Sequence, residues 1–97
     1  MFKPSRNIVY HNLTATNTVQ DLPFTQCPLN TRIEVLDATS IIRVSINGNP
    51  AVLSGTAGIV VKTGTPLELK STYIDDIKYI RESTMSADIK FQIVGTY

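Results

Sequence analysis

Three stretches of this chain alternate apolar and polar residues with a period of two. Over residues 32–37, Ile33 and Val35 alternate with Arg32, Glu34 and Asp37. Over 41–46, Ile42, Val44 and Ile46 fall on one side, with Arg43 and Ser45 on the other. Over 88–94, Ile89, Phe91 and Ile93 share one face. Successive side chains of a strand point to opposite faces, so this pattern marks strands with one buried and one wet side. Composition agrees: 31 of 97 residues are Ile, Val or Thr, against 3 Glu and 5 Ala. β-Branched side chains are stiff at χ1 and pack well on a pleated surface, whereas strong helix formers are scarce here.

Turn residues divide the rest of the chain at even intervals. Further strands are expected at 7–11, 18–22, 51–53, 59–62, 67–70 and 77–80. Pro23, Pro28 and Asn30 make 23–31 a loop or a sheet edge, because proline cannot donate to a ladder. Asn47-Gly48-Asn49-Pro50 is the strongest turn signal, since Asn-Gly readily supplies the two positive φ values of a type I′ hairpin. Residues 71–76 admit either a short helical face, with Ile74, Ile77 and Ile80, or a loop leading into a strand.

Connections this short do not allow parallel crossovers, so the strands pair antiparallel. The expected fold class is all-β: an antiparallel β-sandwich or small jelly roll of seven to nine short strands. An N-terminal arm is expected over 1–6, extended by Pro4, and a single β-sandwich domain over 7–97. The expected core is Ile8, Tyr10, Ile33, Val35, Ile42, Val44, Ile46, Val52, Ile59, Val61, Leu67, Leu69, Ile77, Tyr79, Ile89, Phe91 and Ile93.

Groups able to do chemistry are few. His11 is the only histidine, and a nucleophile needs its base held beside it, so His11 reads as a plain surface side chain. Cys27 stands alone, which excludes a disulfide or a zinc cluster within one chain and favours a small buried apolar role. Asp75 and Asp76 are the one carboxylate cluster in sequence; neighbours on a strand point apart, so they read as a solvated turn. Gly55 and Gly58 precede a strand rather than a helix, unlike a phosphate loop. Nine Lys and Arg are dispersed among eight acids, which argues against nucleic acid as a partner. No apolar run reaches ~20 residues, so no membrane-spanning helix is expected, and the charged start of the chain does not read as a signal peptide. No cofactor, metal or enzymatic activity is expected.

What remains is surface. Val60 and Val94 are apolar where the outer face of a strand should be polar, a feature of partner contacts. With Phe2, Lys3 and Arg6 of the arm and the terminal Tyr97, they form the candidate contact set. Residues 47–50, 54–58 and 71–76 are alternative candidates, as loops forming a site for a glycan or other small ligand.

The run from Arg32 to Val94 resembles the small accessory proteins of tailed-bacteriophage virions. The resemblance is carried by Ile33-Glu34-Val35, by Val44 to Gly48, by Gly64-Thr65-Pro66 turning into Leu67-Glu68-Leu69, by Ile77 to Ile80, and by Ala87 to Phe91. It implies a capsid decoration or cement protein, made in the host cytoplasm and located on the virion. Its implied partners are capsid or other virion proteins and further copies of itself, often as a trimer.

Overall fold

The computed structural model describes residues 8–24 and 27–97, so the arm over 1–6, with Phe2, Lys3 and Arg6, lies outside the described residues. Eight strands follow one another: β1 (Ile8–Ala15), β2 (Gln20–Pro23), β3 (Asn30–Val35), β4 (Ile41–Ile46), β5 (Ile59–Lys62), β6 (Leu67–Leu69), β7 (Asp76–Arg81) and β8 (Ile89–Thr96). They form two four-stranded sheets, of order β1-β8-β3-β6 and β2-β7-β4-β5. First pairs with last throughout: β1 with β8, β2 with β7, β3 with β6 and β4 with β5, all antiparallel. Such a ribbon of four strand pairs, folded over and joined by β3–β8 and β4–β7, is the strand order of a jelly roll.

The inner faces meet in one core. Ile33, Ile42, Val44, Val61, Ile77, Phe91 and Ile93 are fully or almost fully buried there. Phe91 packs edge-on to Tyr79 across the sandwich, with ring centroids 4.9 Å apart. The inward row of β8 runs Ile89, Phe91, Ile93 and then Gly95. At Gly95 the space for a side chain is taken by the ring of Pro28, which is itself fully buried.

The type I′ turn forms as the sequence predicts. Asn47 and Gly48 have φ of 51° and 80°, and Ile46 and Asn49 exchange N–H···O bonds of 2.8 and 2.9 Å. The return strand expected at 51–53 does not form. Pro50 has no N–H, and after Asn49 the chain leaves the edge of β4 for an irregular excursion that rejoins at Ile59. Val52 therefore stands 69% exposed instead of in the core.

The first strand also departs from expectation. It runs to Ala15, and Ala15 is fully buried while Ile8 and Tyr10 are 63% and 57% exposed. Leu13 and Ala15 set the phase, so Val9 and His11 turn inward and the larger Ile8 and Tyr10 turn out. A one-residue slip in phase exchanges the two faces of a strand. His11 is accordingly half-buried, with its ring against Phe24 at 6.1 Å, rather than a plain surface residue. Cys27 is exposed, against the buried role expected for it. Ile74 is fully buried in the loop before β7, and no helix forms there.

Candidate interaction surface

The two sheets differ in what their outer faces show. On the second sheet, the excursion between β4 and β5 folds back over the outside. The Ser83 N–H donates to Gly55 O at 2.8 Å, and Arg43 Nη1 donates to Gly58 O at 3.1 Å. A Cβ at Gly58 would meet Leu53 Cδ1 and Arg43 Cβ, so this turn lies directly on β4. Beneath that layer the outward-facing Ser45 and Ile80 are buried.

The outer face of the first sheet carries no such cover among the described residues. Its strands set Tyr10 opposite Val94, Val94 opposite Arg32, and Arg32 opposite Glu68. One step along, Asn12 lies opposite Gln92 and Gln92 opposite Glu34. The polar groups link into a ladder across the face. Tyr10 Oη donates to Gln92 Oε1 at 2.8 Å, and Gln92 Nε2 donates to Glu34 Oε1 at 3.4 Å. Arg32 lies 3.6 Å from Glu34 and donates to Glu68 at 3.3 Å. These ion pairs are half exposed, so they orient side chains more than they stabilise the fold. Ile8, Tyr10 and Val94 form an apolar corner at the β1 side of this ladder. A shallow depression of about 250 Å³ lies between Arg32, Glu68, Leu69 and Val94.

Of the residues singled out in the sequence, Val94 sits on this face and Tyr97 follows β8 at the end where Thr96 pairs with Ile8. Val60 lies on the outer side of the other sheet, opposite Arg43 and 44% exposed, so the fold does not bring it to Val94. Ile8 and Tyr10 are the surface residues that sequence reasoning missed. The signal was there, in the alternation continuing through Leu13 and Ala15.

The loops expected to form an alternative site are largely engaged with each other. Asn47 Nδ2 donates to Tyr73 O at 2.7 Å, while its Oδ1 accepts the N–H of Asp75 at 2.9 Å and of Asp76 at 3.2 Å. Loops 47–50 and 71–76 are thus one unit, with Tyr73 68% exposed upon it. Loop 54–58 is tied elsewhere, to Ser83 and Arg43. A separate cleft of about 390 Å³ opens between 37–40 and 84–89. Beside it the carboxylate of Glu82 accepts the N–H and hydroxyl of Thr84, both at 3.0 Å. Those bonds hold its pKa below the ordinary value, and they leave the group fixing its own turn rather than facing a ligand.

A carboxylate pair does exist, although not the one adjacent in sequence. Asp75 is exposed, whereas Asp76 is gathered with Asp21 of the neighbouring strand β2 around one lysine, Lys78. The interaction of the two carboxyls, with burial, raises the pKa of Asp76, and the same interaction lowers that of Asp21. Lys78 Nζ lies 3.1 Å from Asp76 and 3.5 Å from Asp21. Asp76 Oδ1 is buried and meets no hydrogen-bond donor. With Lys78 balancing one of the charges, the trio reads as a latch between β2 and β7. Among the described residues, no three His, Cys, Asp or Glu side chains gather as a metal site would require. Comparison with the known protein families, with curated proteins and with solved structures finds no match to this chain.

Proposed function

We propose that this protein is a non-enzymatic structural subunit of a virion, a decoration or cement protein that binds the capsid shell through the outer face of its β1-β8-β3-β6 sheet. The observation that supports this reading is the contrast between the two outer faces. One is partly covered by the protein's own chain; the other presents an apolar corner of Ile8, Tyr10 and Val94 beside an ordered ladder of polar groups. Apolar contacts flanked by fixed polar ones are what a docking surface needs. The capsid as partner comes from the resemblance of residues 32–94 to phage accessory proteins.

Co-sedimentation with empty shells of the major capsid protein encoded in the same genome tests the reading. The wild type is expected in the pellet and Val94→Lys in the supernatant, with Val60→Lys behaving as wild type. A wild type that stays in the supernatant sinks the proposal.

A second reading, a binding module for a glycan, draws on exposed Tyr73 above the joined loops 47–50 and 71–76. Aromatic rings offer sugars a flat apolar face. Glycan-array binding that Tyr73→Ala abolishes would favour it over the first.

A further inference from the structure

Each sheet of an open sandwich ends in two strands whose outer backbone groups have no partner, and proteins blunt such edges with short strands, charges or proline. Three of the four edges here are blunted in that way. β6 has three residues, with Glu68 at its centre and Pro66 just before it. β2 has four, including Asp21 and Pro23. β5 has four and ends on Lys62. The fourth edge is different. β1 is eight residues long, Ile-Val-Tyr-His-Asn-Leu-Thr-Ala, without Asp, Glu, Lys, Arg or Pro. It pairs with β8 along its whole length on one side, and among the described residues no strand pairs with the other.

We infer that the open edge of β1 pairs antiparallel with β1 of a second copy of this chain, joining two four-stranded sheets into one of eight. An antiparallel strand pair about a two-fold axis is self-complementary, since each strand offers the other the same donors and acceptors. Because the strand carries no acidic or basic chain other than His11, no register sets Lys, Arg, Asp or Glu opposite its own copy. Residues opposite one another in such a pair share a face. The half-buried row of Val9, His11 and Leu13 therefore meets its counterpart on the core side, and exposed Ile8 and Tyr10 gain cover on the outer side. β2 lies on the same side of the sandwich, where Phe24 touches His11, and its Asp21 and Pro23 confine the join to the first sheet. The pairing stands whether or not the outer face binds a capsid.

An edge join is small beside the ~1,200–2,000 Å² of a stable interface, so the association is weak and is sought at about 1–100 µM chain. Sedimentation equilibrium of the full chain over that range and up to about 300 µM tests it. The wild type is expected to pass from the 10.7 kDa monomer to twice that mass. Asn12→Lys with Thr14→Lys puts charge on the solvent side of the edge and is expected to weaken association at least ~10-fold while leaving the monomer folded. Val60→Lys, on the other sheet, should leave association unchanged. Hydrogen exchange of the wild type gives a readout that no variant can confuse, since β1 amides gain protection as concentration rises. A wild type that stays monomeric throughout overturns the inference. So does a dimer indifferent to the β1 lysines, or one whose β1 amides exchange equally fast at every concentration.

Discussion

Gly95→Ala adds a single methyl group, and the structure says where it must go. Gly95 continues the inward row of β8, and a Cβ there would lie 2.8 Å from Cβ and 3.0 Å from Cγ of Pro28. Ordinary contacts begin near 3.4 Å, so about 0.6 Å must be found between two rigid groups. The proline ring cannot swing aside freely. It is fully buried, its carbonyl accepts the Ile74 N–H at 3.1 Å, and the next residue, Leu29, donates to Thr96 O at 2.9 Å. Gly95 itself is clamped between Val9 of β1 and Thr31 of β3. Overpacking of this kind costs about 1–3 kcal/mol. For a domain of this size that corresponds to a fall in Tm of roughly 5–20 °C, measurable by circular dichroism. Pro28→Gly removes both contacting carbons, so the double variant should recover part of the loss, with a coupling of about 1 kcal/mol in a urea-denaturation cycle. A Gly95→Ala protein within ~0.5 kcal/mol of wild type, or a cycle that adds without coupling, refutes the claim that Pro28 plugs this end of the core.

Other variants probe the remaining features. Phe91→Ala empties a fully buried site and breaks the edge-on contact with Tyr79, so urea denaturation should show a loss of about 3–5 kcal/mol. Thr31 Oγ1 is buried without a hydrogen-bond partner, and Thr31→Val replaces it with a methyl of similar size; stability should rise by about 1 kcal/mol. The raised pKa of Asp76 means that its ionisation opposes folding. Its contribution is fully present below the ordinary carboxylate value near pH ~4 and is lost as pH rises through the folded value. The lowered pKa of Asp21 acts in the opposite sense, adding stability that disappears as pH falls through its folded value. Asp76→Asn has no proton to lose, so its urea midpoint should lose the decline on the alkaline side. An unchanged slope would remove Asp76 from the account.

How much was legible beforehand differs from strand to strand. β4 emerges with the limits read from its alternation, β5 with those set by its flanking turns, and the Asn47-Gly48 turn with the geometry that its residue types demand. The apolar run Ile8-Val9-Tyr10 of β1 fits either phase; two residues further on, Leu13 and Ala15, decide it. Val52 looked like part of a strand because nothing local reveals that the chain leaves the sheet after Asn49. Of the candidate contacts, Val94 gained neighbours in Ile8 and Tyr10, while Val60 proved to lie on the other sheet.

The sequence by itself determined that the chain is all-β, roughly where its strands fall and which residues turn it. Those properties depend on side-chain period and backbone φ, both local. Tertiary structure alone decided that β1 meets β8 and β2 meets β7, which brings Tyr10 to Val94 and Asp21 to Asp76. It also decided that the chain folds back over part of one outer face and not over the other, and that Pro28 fills the space beside Gly95. Such pairings join residues more than fifty positions apart, and period-two alternation, identical in every strand, carries no label for its partner.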